Sequence, residues 1–175
     1  MKKLILLMLL LCAFISVGCD SEVKDDPSGA PAATEQVKNI SFIVYRADAN
    51  GSDKLLPEKI TMADNGKSLP ENALNALVST KPQVAGMEDV VPVGTKVLSL
   101  KVAADGTATA DFSKEIAKKG QGSYGELMLT YAIVNTLTEF PEIKRVQILV
   151  EGKPVTSFSG HMDLSEPLTR NKTLL

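Results

Sequence analysis

Beyond residue 38 the apolar and polar positions fall into short runs whose period switches between that of a strand and that of a helix. Ile40 to Arg46 (ISFIVYR) is rich in β-branched and aromatic residues and ends at the turn cluster Asp48-Ala49-Asn50-Gly51-Ser52, which predicts a first strand. Lys54 to Met62 carries Leu55, Leu56, Ile60 and Met62 but also Pro57, which has no ladder donor, so the pattern predicts an edge segment with a short strand at 59–63. Ser68-Leu69-Pro70-Glu71 has the residues of a capping box, with Pro70 in the first turn. A helix lined by Ala73, Leu74, Leu77 and Val78 should follow and stop at Lys81-Pro82.

Between Pro92 and Val102, Leu98, Leu100 and Val102 alternate with Ser99 and Lys101; Asp105-Gly106 and a second alternating run, Thr107 to Phe112, complete a hairpin signal. Ala108, Ala110 and Phe112 share its buried face, with Thr107, Thr109 and Asp111 facing solvent or a partner. A second capping box, Ser123-Tyr124-Gly125-Glu126, opens the longest helix, which runs to about Phe140 before Pro141. Leu127, Tyr131 and Val134, with Leu129, Ile133 and Leu137, cover two adjoining faces, so this helix is mostly buried. Arg145 to Glu151 and Val155 to Phe158, joined by Gly152-Lys153-Pro154, predict a last hairpin. The order predicts an α+β domain over 39–175: a small, mainly antiparallel sheet with two helices packed on one face, in a split β-α-β arrangement.

The amino terminus follows a different pattern. Met1, Lys2 and Lys3 precede an apolar run from Leu4 to Val17, the plan of a secretory signal. Leu4 to Gly18 falls short of the roughly 20 residues that a helix needs to cross a bilayer. Ser16-Val17-Gly18-Cys19 resembles the lipobox of bacterial lipoproteins, with Ser16 where that family usually has an aliphatic residue. The resemblance implies a signal peptide over 1–18 and lipidation, by acyl chains such as palmitate, of Cys19 as the first mature residue. The membrane then becomes a partner through that anchor, on the extracytoplasmic face of the cell membrane. From Asp20 to about Lys38 the chain has no aromatic residue, two Pro and one Gly, which reads as a flexible tether with a reach of roughly 25 Å. Residues 19–38 thus form the lipidated Cys and its tether, and 39–175 a single domain.

Composition narrows the chemistry. The 175 residues hold 19 Lys+Arg and 21 Asp+Glu, a net charge of -2 that offers nucleic acid no basic surface. One His and two Cys, of which Cys12 lies in the signal, are too few for most triads, zinc sites and redox motifs, so no enzyme activity, cofactor or metal is expected. His161 has Asp163 and Glu166 nearby but no further ligands. Glu126, Asp111, Glu151 and Asp163 could supply the two carboxylates of a peptidoglycan hydrolase, yet nothing in their spacing selects a pair, and Glu126 is accounted for by its cap and Asp111 by its outward strand position. Ser123 lacks the G-x-S-x-G spacing of a nucleophile elbow, and Gly120 to Gly125 lacks the Lys-Ser/Thr end of a phosphate loop. Peptidoglycan binding, or its carboxylate-dependent hydrolysis, stands as the alternative function. A free strand edge, at the Pro57 segment or at Val155 to Phe158, offers unpaired backbone groups to a partner strand.

Several motifs in order resemble the GerMN domain family. They are Val93-Gly94-Thr95-Lys96-Val97, the Asp-Gly hairpin leading to Asp111-Phe112-Ser113-Lys114-Glu115, Tyr131-Ala132-Ile133-Val134-Asn135-Thr136-Leu137, and Val146-Gln147-Ile148-Leu149-Val150-Glu151-Gly152, with the tail from Gly160 to Leu168. The resemblance covers about Ile40 to Arg170. It implies a non-catalytic α/β module carried by extracytoplasmic lipoproteins, with envelope or sporulation proteins as partners. In endospore formers it implies a role in sporulation and germination, where the related fold is associated with assembly of rings and envelope complexes. This chain has room for a single copy.

Overall fold

The computed structural model describes residues 38–118 and 122–175. The expected signal peptide, Cys19 and nearly all of the tether lie outside the described residues. The first strand, β1 (Asn39–Asp48), pairs antiparallel along its whole length with β2 (Leu55–Ala63), and β3 (Met87–Glu88) adds two residues at the far end of β1. A second sheet holds β4 (Val97–Val102), β5 (Thr107–Phe112), β6 (Arg145–Val150) and the short β7 (Lys153–Pro154) in that order, with β8 (Leu168–Thr169) also against β6. Helix α1 (Leu69–Ser79) follows β2, and α2 (Gly122–Leu137) connects β5 to β6. The α+β class and the two helices are as expected, while the strands divide between two sheets. Because α2 crosses over between them, β5 and β6 run parallel, the one parallel pairing among the described strands.

The helices pack on each other and on β1, and α2 also meets β6 and β8. One apolar cluster joins all of these, running from Phe42 and Val44 through Leu74, Leu77, Leu129 and Ile133 to Phe112, Val146 and Ile148. As the alternation predicts, Ala108, Ala110 and Phe112 are buried. So are Leu129, Ile133, Val134 and Leu137 of α2.

Two local expectations change, at Pro57 and at Leu98, while the hairpin at Asp105-Gly106 forms as predicted. Pro57 does not shorten β2, which runs for nine residues. The Tyr45 amide donates to Thr136 Oγ1, away from β2, so its partner Pro57 presents its own nitrogen to the outer edge, where the ladder needs no donor. The hairpin after β4 has Ala104, Asp105 and Gly106 in its loop, closed by bonds between Ala103 and Thr107 and from the Gly106 amide to the Ala103 carbonyl. Gly106 is in the left-handed region at φ 85°, and a Cβ there would come within 2.9 Å of the Lys144 side chain. Before that loop, β4 bulges at Leu98, since Val97 faces Phe112 but Ser99 faces Asp111. The bulge turns Leu98 out, to 48% exposure, and Val102 remains 42% exposed at the edge.

Arg46 is a fully buried charged group in the core. Its Nε donates to Glu58 Oε2 at 3.0 Å, Nη1 to the Leu77 carbonyl at 2.9 Å and Nη2 to Thr80 Oγ1 at 2.8 Å, with Asp89 Oδ1 at 3.7 Å from Nη1. The second Glu58 oxygen accepts from the Gln83 amide. Replacing Arg46 by Met should lower the unfolding free energy by about 3 to 5 kcal/mol, because Glu58 is left buried without a counter-charge. In a urea titration, Arg46→Met combined with Glu58→Leu should recover most of that loss; a double variant as unstable as the sum of the single ones would contradict the pairing.

Candidate functional site

Helix α1 begins as its sequence predicts. Ser68 Oγ accepts from the Glu71 amide at 3.3 Å, Pro70 lies in the first turn, and the helix gives way at Thr80, just before Lys81-Pro82. The Glu71 carboxylate, expected to reach back to the cap, instead pairs with Lys67 Nζ at 2.6 Å. Ala73, Leu74 and Leu77 face the core, which leaves Asn75 and Ser79 on the side turned toward β2 and solvent. Between that side of α1 and β2 runs a groove of about 440 Å³. Ile60, Met62 and Ala76 form its apolar base, while Asn65, Asn72, Asn75, Ser79, Thr80 and Gln83 give it a lining of amides and hydroxyls. Lys67 is its one charged lining residue. Asn72 is itself held in place, accepting from Asn65 Nδ2 at 2.8 Å and donating to the Lys67 carbonyl at 3.2 Å. Such a surface offers hydrogen bonds to uncharged polar groups and has no nucleophile, base or metal-ligand set.

Of the carboxylates singled out from the sequence, Asp111 and Glu151 meet at the β6–β7 turn, where each accepts from a backbone amide, and Glu126 is engaged elsewhere. Glu126 is the main correction. Helix α2 starts at Gly122, and the Glu126 side chain does not cap Ser123; it turns inward, fully buried, and receives the loop that follows β7. Oε1 accepts from Ser157 Oγ (2.6 Å) and from the amides of Phe158 (2.8 Å) and Ser159 (3.1 Å); Oε2 accepts from Ser159 Oγ (2.7 Å) and the His161 amide (2.9 Å). Five donors satisfy a buried carboxylate where a reciprocal cap would offer one. The same capture explains why 155–158 forms no strand: the predicted second strand of that hairpin is only Lys153–Pro154, and the Ser157–His161 backbone wraps the carboxylate instead. Burial by itself would raise the Glu126 pKa, but the hydrogen bonds from Ser157, Ser159 and His161 outweigh it and hold the carboxyl at about 2.

The remaining candidates serve their own turns. Asp111 Oδ1 accepts from the Gly152 amide at 2.9 Å and Glu151 Oε1 from the Lys114 amide at 2.9 Å, which fastens the β6–β7 turn to the end of β5. Asp163 accepts from the amide and hydroxyl of Ser165, and those bonds lower its pKa. His161 contributes its backbone to Glu126, and Ser123 is exposed in the first turn of α2. The Gly120-to-Gly125 stretch lies partly outside the described residues. Among the described residues no group of three His, Cys, Asp or Glu side chains could hold a metal, and no helix is long and apolar enough to cross a membrane.

Sequence reasoning passed over the groove and the buried Arg46–Glu58 pair. A signal for the pair was present, since Arg46 shares strand parity with Phe42 and Val44, and Glu58 with Ile60. The groove carried no comparable signal, because its residues come from two elements whose packing the local pattern does not specify.

Comparison with known proteins places these features in context. The Germane family model, described as "Sporulation and spore germination", matches residues 43–156. Spore germination protein GerM of Bacillus subtilis (strain 168) is 26% identical over 132 residues, covering 73% of this chain and 36% of that protein, so this chain spans little more than a third of its relative. The solved first GerMN domain of the Bacillus subtilis sporulation protein GerM is similar at a TM-score of 0.64 and 26% identity, over 75% of this chain and 98% of that one. A crystal structure described as "Putative Lipoprotein from Clostridium perfringens" is similar at a TM-score of 0.53 and 26% identity, over 79% of this chain and 92% of that one.

Glu126 gives a pH-dependent signature. A carboxyl whose pKa falls from 4.5 unfolded to about 2 folded contributes about 3 kcal/mol of stability at neutral pH. That contribution is fully present above the unfolded value and is lost as the pH falls from about 4.5 through 2. Glu126→Gln should therefore unfold at lower urea than the parent at pH 7, and the gap should narrow steadily between pH 5 and 2. A gap that stays constant over that range would show that the carboxylate charge is not what holds the loop.

Proposed function

The chain belongs to the Germane family, and from that premise we propose that it is a membrane-anchored extracytoplasmic lipoprotein whose single GerMN-like domain, over 39–175, binds and positions other proteins in sporulation, germination or envelope assembly and catalyses no reaction. The observation that carries this proposal is the whole-domain match to the first GerMN domain, 98% of which is covered by one continuous body of this chain. The similar Clostridium perfringens chain bears the name of a lipoprotein, which supports the same assignment for the lipobox at Ser16-Val17-Gly18-Cys19. The non-catalytic half of the proposal is supported by Glu126, the buried candidate carboxylate, whose two oxygens are taken up by the protein's own loop. Peptidoglycan hydrolysis has no comparable support, as the other acids serve turns. In this scheme 1–18 is removed, Cys19 carries the acyl chains, and 20–38 lets the domain stand off the headgroups.

Expression of the full chain and of Cys19→Ala in a spore-forming host tests the scheme. The parent should incorporate labelled palmitate and sediment with membranes. Cys19→Ala should lose the label and at least tenfold of its membrane-bound fraction, and deletion should lower spore yield or germination. An unlabelled parent, or a Cys19→Ala chain with unchanged label, would overturn the anchor. Unchanged sporulation and germination after deletion would overturn the proposed role. Purified chain should release no muropeptides from cell walls, and release that disappears in Glu126→Gln or Asp163→Asn would restore the hydrolase.

A further inference from the structure

We propose that the groove between β2 and α1 is the recognition site of this domain, and that its ligand is an extended, uncharged segment of a partner protein that adds as a strand to the outer edge of β2. The assignment rests on the chain being a binding module and names the class of partner. Strand β2 pairs only with β1 among the described strands. The outward Tyr45 amide and the bond from the Asp48 amide to the Lys54 carbonyl fix the phase of that ladder. Residues of β2 with even numbers therefore bond to β1, and Leu55, Pro57, Lys59, Thr61 and Ala63 direct their backbone groups to the open edge.

Pro57 has no amide hydrogen, so the usable donors at the carboxyl-terminal half of the edge are Lys59, Thr61 and Ala63. That half is the one the groove adjoins, through Ile60, Thr61 and Met62. Donors and acceptors repeating at every second residue match the main chain of a peptide and not a sugar ring, whose polar groups have no such repeat. Alternate side chains of the added strand would enter the groove over Ile60, Met62 and Ala76 and meet the side chains of Asn72, Asn75 and Ser79. No carboxylate lines it, and Lys67 is already engaged by Glu71, so nothing there compensates a charged side chain.

The test uses the full chain in detergent micelles against an array of ten-residue peptides built from uncharged residues. Binders should shift the amide resonances of Lys59, Thr61 and Ala63 and lose about tenfold in affinity when alternate peptide nitrogens are methylated. Thr61→Pro removes one outward donor and the Ser41–Thr61 hydroxyl bond but leaves the backbone ladder to β1 intact, and it should cost a similar factor, whereas Thr61→Val, which drops only the hydroxyl bond, should bind as the parent does; Ser79→Trp, which fills the groove, should cost more and keep the parent's thermal unfolding. An array without binders, or binding indifferent to both methylation and Thr61→Pro, overturns the assignment. So does a site that takes soluble muropeptides with loss in Ser79→Trp alone, or one through which two copies of the chain associate. If Thr61→Pro still captures its cellular partners from membranes, the groove assignment fails while the binding module stands.

Discussion

Arg46 places a full positive charge where no water reaches it, and much of the fold is arranged by the need to compensate that charge. A guanidinium in the core is tolerated only when its donors meet acceptors and its charge meets an opposite one. Those acceptors come from β2 (Glu58), from the last turn of α1 (the Leu77 carbonyl) and from its cap (Thr80). Glu58 in turn takes the Gln83 amide, and Asp89 closes the far side. One side chain thus ties α1 to the β1–β2 pair and fixes the path of the chain from α1 to β3. Apolar contacts alone would permit α1 to slide along β1 at small cost, since burial energy has little direction. The fork of the guanidinium does not.

Helix α2 and the turn that follows it are held by the same kind of device at four points. Glu126 gathers the loop after β7, and Asn135 binds the Asn171 backbone with both ends of its amide, at 2.9 and 3.0 Å. Near the end of α2, Glu139 accepts from Tyr45 of β1 and Arg170 of the tail, whose guanidinium also lies 5.1 Å from the Tyr45 ring centre. Thr136 completes the set by accepting the outward Tyr45 amide, so α2 stands beside β1 where another strand would otherwise pair. The carboxyl-terminal segment has little regular structure, and these polar contacts join the β8–β6 pairing and the buried Leu164 and Leu174 in fixing it to the body.

The elements were largely legible in the sequence because each is a local matter. Alternation in Ala108, Ala110 and Phe112, the cap at Ser68 and the stop at Lys81-Pro82 all report the immediate chain, and all recur in the structure. What failed was non-local. Ser123 and Glu126 have the spacing of a capping box, but the carboxylate lies on the same helical stripe as Leu129 and Ile133, and burial gave it a larger set of donors 31 to 35 residues away. Val155 to Phe158 has the composition of a strand and lost that state to the same carboxylate. Pro57 has the sequence signature of an interruption, but its effect depends on which way its nitrogen faces. The groove was invisible for the strongest reason: it is a space between β2 and α1, and no local pattern shows how two elements pack.

Each sheet leaves one long edge strand, β2 in the first and β4 in the second, and these two edges are not equivalent. β4 exposes Leu98 and Val102, which would make a flat edge adhesive, but the bulge at Leu98 breaks its register and Lys101 adds a charge, both of which discourage pairing. On β2 the loss of a ladder donor covers one half only, and the other half carries the single charge of Lys59. Pro57 removes a donor in the first half, whereas from Lys59 to Ala63 the ladder is regular and is overlooked by α1. The position of that helix is not free, since Leu77 and Thr80 are tied to Arg46. The buried charge that orders the core therefore also fixes the width of the groove beside the open half-edge.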